Sequence, residues 1–70
     1  MVEVFKTNVA DKEVADMLRE SLEKEFPACK INFDLHDSDR ILRLEGDDIC
    51  TATVTDLLQT EGFDCELLAD

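Results

Sequence analysis

Apolar and polar positions along this chain switch between two periods, and the order of the switches is informative. Residues 2–7, VEVFKT, alternate and are rich in β-branched side chains, which predicts a strand with Val2 and Val4 on its inward face and Phe5 on the other. Asn8 or Asp11 is suited to cap a helix, Asp11 being the better start. From there Val14, Met17, Leu18, Leu22 and Phe26 recur at helical spacing and form one apolar stripe, opposite a charged face with Lys12–Asp16, Arg19–Glu23 and Glu20–Lys24 in i,i+4 positions. Pro27 ends that helix.

Residues 30–35, KINFDL, return to strict alternation, with Ile31, Phe33 and Leu35 inward. His36-Asp37-Ser38-Asp39 is turn chemistry, because short polar side chains bond their own backbone. Residues 40–45, RILRLE, give the returning strand with Leu42 and Leu44 inward. Gly46-Asp47-Asp48 closes the hairpin and leads into a second helix. In that helix Cys50, Val54, Leu57 and Leu58 share one face, although the β-branched run ICTATVT would also suit a strand. The continuation of the stripe to Leu58 and the stop at Gly62 favour the helix. Residues 63–68, FDCELL, make a last short strand.

The order β-α-β-β-α-β predicts one α+β domain over residues 1–70. Its stable packing is a four-stranded antiparallel sheet with both helices on one face, the ferredoxin-like or split βαβ sandwich, with strand order 4-1-3-2. That topology gathers residues 8–11, the hairpin turn and residues 62–64 at one pole. Cys29 and Cys50 fall at the other.

Charge adds a second constraint. Eighteen acidic residues against seven basic give a net charge of −11, which disfavours phosphate backbones and anionic lipid, so neither nucleic acid nor membrane is an expected partner. No stretch approaches the roughly 20 apolar residues of a membrane span, and the opening MVEVFK carries no apolar leader segment. Three widely spaced cysteines, Cys29, Cys50 and Cys65, do not form a disulfide framework; reduced thiols and a cytoplasmic location are expected.

Several short matches, in order, resemble the heavy-metal-associated domain family, the copper chaperones and the N-terminal domains of metal-pumping ATPases. Pro27-Ala28-Cys29 is similar to the family's Pro-Gly-Val, Phe33-Asp34-Leu35 to its Val-Asp-Leu, Leu44-Glu45-Gly46-Asp47 to its Val-Glu-Gly-Asp, and Gly62-Phe63 to its closing Gly-Tyr. The resemblance implies a first loop of the form Met-x-Cys-x-x-Cys, whose thiolates clasp a soft ion such as copper(I) beside a helix N-terminus. Counted back from Leu18 and Leu22, that motif falls on residues 9–14, where Asp11 and Val14 replace the two cysteines and Lys12 places a cation between them. No metal is therefore expected at the family loop.

Other chemistry is weaker. Three cysteines on apolar stripes read first as core residues. Cys29 and Cys50, sharing a pole, are the alternative as a displaced copper or zinc pair, and Cys65 lies too far away to join them. His36 among Asp34, Asp37 and Asp39, with Asp11 and Asp64 at the same pole, reads first as a solvated turn residue and second as a loose divalent-ion site. No catalytic constellation, Gly-rich phosphate loop or basic-aromatic face is visible, so the chain is not expected to be an enzyme and no cofactor is expected. With Val2 and Val4 inward, Phe5, Ile41 and Leu68 would face solvent on the open side of the sheet and offer a surface for self-association or a protein partner. The leading expectation is an interaction or regulatory module of heavy-metal-associated type without its thiolates. The alternatives are a metal-handling protein using a displaced site, either Cys29 with Cys50 or the acidic pole around His36, and a small-molecule sensor.

Overall fold

The computed structural model describes residues 1–36 and 40–68. Its elements are β1 (Val2–Thr7), α1 (Lys12–Glu25), β2 (Lys30–Asp34), β3 (Ile41–Glu45), α2 (Thr51–Thr60) and β4 (Cys65–Leu67). The strands form one antiparallel sheet in the order β2-β3-β1-β4, which is the predicted 4-1-3-2 arrangement. Side chains of both helices join one core with the sheet: Leu18 and Leu22 from α1, Val54 and Leu58 from α2, and Phe5, Leu42, Leu44 and Ile31 from the strands. No helix among the described residues is long and apolar enough to cross a membrane.

Local chemistry sets the helix ends. Asp11 is the N-cap of α1, and its Oδ1 accepts from the Glu13 N–H at 2.8 Å. At the end of α2, Gly62 adopts φ +92°, its N–H donates to the Gln59 carbonyl, and the Phe63 N–H donates to the Leu58 carbonyl. This pair of bonds is a Schellman motif. It needs a left-handed residue, which glycine adopts without steric cost. The competition between strand and helix over residues 49–55 is resolved as helix from Thr51 onward, with Val54 and Leu58 both fully buried at i,i+4 spacing.

Two expectations about facing are corrected. Phe5 points into the core, fully buried and paired in register with Leu42 and Leu67, so Val2, Val4 and Lys6 take the open face of β1. The alternation misleads because the inward positions of β1 are Glu3, Phe5 and Thr7, two of them polar. Thr7 is tolerated inside because its hydroxyl donates to the Arg40 carbonyl at 2.7 Å and accepts from the Val9 N–H at 3.2 Å. In α1 the stripe is rotated toward Ala15: Ala15, Leu18 and Leu22 are buried, whereas Met17 is 65% exposed.

Thr7 and Asn8 also fix one pole of the sandwich. The Thr7 N–H bonds the Arg40 carbonyl at 3.1 Å, and Asn8 Oδ1 accepts from the Asp64 N–H at 2.8 Å, which ties the first loop to the last. At the other pole the Gly46 N–H donates to the Met1 carbonyl at 2.9 Å.

Candidate functional site

The loop of residues 8–11 is built for helix initiation. Asp11 commits an oxygen to the Glu13 N–H, and its carboxylate also opposes the positive end of α1. Val14, one turn on, packs partly buried against the core. A carboxylate engaged in capping and a side chain without donor atoms give a soft ion no second ligand.

The cysteines take three different environments, and the expectation of three core residues is corrected. Cys65 is buried in the core, where desolvation raises its pKa, an effect partly offset by a hydrogen bond from Thr55. Cys29 is half-buried and packs directly on Gly46: a Cβ there would lie 2.7 Å from its Sγ. Cys50 is exposed as the N-cap of α2, off the apolar stripe that the spacing assigned to it. Its side chain makes no capping hydrogen bond. Its pKa is lowered, first by the Thr53 hydroxyl and then by the Thr53 and Ala52 N–H groups, against slight desolvation and the charge of Asp56. Cys29 and Cys50 both lie at the pole where β2 and α2 begin, as expected, and Cys65 pairs with Thr7 at the far end of β1.

His36 is exposed, and its N–H donates to Asp34 Oδ1 at 3.2 Å, closing a local turn that uses one oxygen of that carboxylate. It borders a shallow cleft with Ala10, Lys12, Phe33 and Leu35. Asp37, Ser38 and Asp39, the rest of the expected turn, lie outside the described residues. Among the described residues no group of three or more His, Cys, Asp or Glu side chains converges to hold a metal.

The open side of the sheet is the most coherent surface. Its strand positions form a grid: Lys30, Glu45 and Val2 in one row; Asn32, Arg43 and Val4 in the next; Asp34, Ile41, Lys6 and Glu66 in the third. Leu68 continues β4 beside Val4, bonding its carbonyl at 2.9 Å. Ile41 and Leu68 therefore lie on this side as expected. Ile41 is only 9% exposed, however, and the accessible apolar surface comes from Val2, Val4 and Leu68. Val2 and Val4 were missed as surface residues because alternation alone does not say which face is inward.

The charges on this grid are three cations (Lys6, Lys30, Arg43) and three carboxylates (Asp34, Glu45, Glu66). Its strand positions thus contribute nothing to the net charge of −11. Comparison with known proteins adds no relative: no family model, no curated protein and no solved structure matches this chain.

Proposed function

We propose that this chain is a non-enzymatic interaction module of heavy-metal-associated type that has lost the thiolate clasp and pairs with a second copy of itself through the open face of its sheet. The observation that supports this reading is the charge-balanced face with its Val2, Val4 and Leu68 patch, in a protein carrying −11 overall. Two copies of so acidic a chain repel each other over most approaches, and least where the approaching surfaces carry no net charge. An isologous contact there covers apolar side chains that a 70-residue core leaves wet, which matters because a domain this small has little burial to spare.

The deciding experiment is sedimentation equilibrium across protein concentration at low and high salt. Pairing should tighten with salt, since screening weakens the net repulsion (Debye length about 10 Å at 0.1 M) while leaving apolar contact intact. Val4→Glu should give a folded monomer, because Val4 faces away from the core. A chain that stays monomeric at every salt and concentration refutes the pairing. Separately, stoichiometric copper(I) that is retained through desalting under reducing conditions and lost on Cys50→Ser refutes the interaction module in favour of a metal-handling protein using a displaced site.

A further inference from the structure

We infer that the cleft between α1 and the turn from α2 into β4 is a docking groove for a short basic amphipathic helix of a partner protein. Val14, Met17, Leu18 and Ser21 form its α1 side, and Glu61 and Phe63 form the other. Leu18 is buried at the floor, Val14 and Phe63 are partly buried walls, and Met17 stands at the lip, 65% exposed. An exposed methionine beside partly covered apolar walls is an adaptable contact for apolar side chains, because the thioether re-packs at little cost.

The dimensions select the kind of occupant. At about 250 Å³ the cleft lies at the low edge of the roughly 300–1,000 Å³ that enclose a small molecule, and its exposed Met17 lip suits the side chains of a docked segment. The α1 wall runs from Val14 to Ser21, a rise of about 10 Å, or two helical turns. A facing helix presents apolar side chains over that distance at i, i+3 or i+4, and i+7. Main-chain pairing is not on offer, since the backbone of α1 is engaged within its own helix, so an added strand would gain nothing there.

Charge selects the occupant's sign. Glu13 and Glu20 lie four residues before and three after Met17, on the same side of α1, and Glu61 lines the opposite wall. All three are exposed. Lys24, one turn beyond Glu20, ends this acidic stretch, so the partner's cations belong over the three carboxylates and not at the far end of α1. Lys or Arg flanking an apolar stripe meets this pattern, whereas an acidic helix or a nucleic acid is repelled. The groove lies on the helical layer and is independent of pairing through the sheet.

The test uses a synthetic peptide of about fourteen residues, two turns of match with a turn on each side, with Leu at i, i+3 and i+7 and flanking Lys and Arg. Its controls are a scrambled peptide of the same composition and a version with Glu in place of the cations. Binding to the isotope-labelled full chain should shift the amide signals of Val14, Met17, Glu61 and Phe63 and weaken as salt is raised. That salt dependence is opposite in sign to the one expected for self-pairing. Met17→Ala and Glu61→Lys, both at exposed positions and so compatible with folding, should each lower affinity by about tenfold. No binding, equal binding of the scrambled peptide, or shifts confined to the open face of the sheet each overturn the proposal.

Discussion

Replacing Gly46 by alanine tests how tightly the pole carrying Cys29 is packed. A Cβ on residue 46 would sit 2.7 Å from Cys29 Sγ and 3.3 Å from both Cys29 Cα and Cβ. Comfortable carbon separations begin near 3.5 Å, so the sulfur overlaps by close to 1 Å and the backbone atom by a few tenths. The sulfur can rotate, but Cys29 is packed against the core, and its Cα cannot move without shifting the start of β2. Overpacking of this kind costs about 1–3 kcal/mol, offset by roughly 0.4–1 kcal/mol from the lower entropy of the unfolded alanine chain. A net loss of about 1–2 kcal/mol lowers the melting temperature of a domain this size by roughly 5–15 °C. The chain has no Trp or Tyr, so the helix signal in far-ultraviolet circular dichroism is the appropriate readout. Cys29→Ala in the same chain removes the sulfur and leaves the milder crowding against the main chain of residue 29. The double variant should therefore recover part of the loss and fall short of the sum of the single effects by about 1 kcal/mol. A Gly46→Ala chain that melts at or above the parent, or strictly additive effects, would refute the packing described.

Three further outcomes follow from individual groups. Thr7→Val should destabilise by about 1–3 kcal/mol in chemical denaturation, because the buried Val9 N–H loses its acceptor while the Arg40 carbonyl keeps the Thr7 N–H. Asp11→Ala should cost about 1 kcal/mol through loss of the α1 cap, and Asp11→Asn should restore most of it, a pattern that a metal ligand would not show. In a pH series with a thiol-directed alkylating agent, Cys50 should reach half-maximal rate below the ordinary thiol range and Cys65 above it. Thr53 stabilises the Cys50 thiolate whereas burial penalises that of Cys65, so Thr53→Ala should move the Cys50 profile back up.

Most of the architecture was legible in the residue pattern because each element carries its own punctuation. Asp11 opens α1, Pro27 prevents its continuation, and Gly62 stops α2, and these local signals are strong enough to fix the element order. Element order then leaves few ways to build one sheet. Facing was less legible where an element's inward set is not its apolar set. In β1 the inward Thr7 is satisfied by a carbonyl 33 residues away, a long-range bond that no periodicity reveals. In α1 the small Ala15 takes a buried position and Met17 is displaced outward, and a stripe defined by large apolar residues cannot anticipate that exchange of size for proximity. The candidate surfaces inherit both effects: Val2 and Val4 reach the open face through the first, and Met17 reaches the cleft lip through the second.

Gly62 touches nothing across from it, since a Cβ at that position would meet no atom within 4 Å, and yet the wall of the cleft depends on it. Its left-handed turn allows the Phe63 amide to reach back to Leu58, which swings the phenyl ring against the floor next to Leu18. A substitution there alters the identity of no side chain that lines the groove and still reshapes it, by loosening the turn that aims the Phe63 ring. The shape of this cleft can therefore change at a residue outside its lining, through the handedness of a single backbone angle.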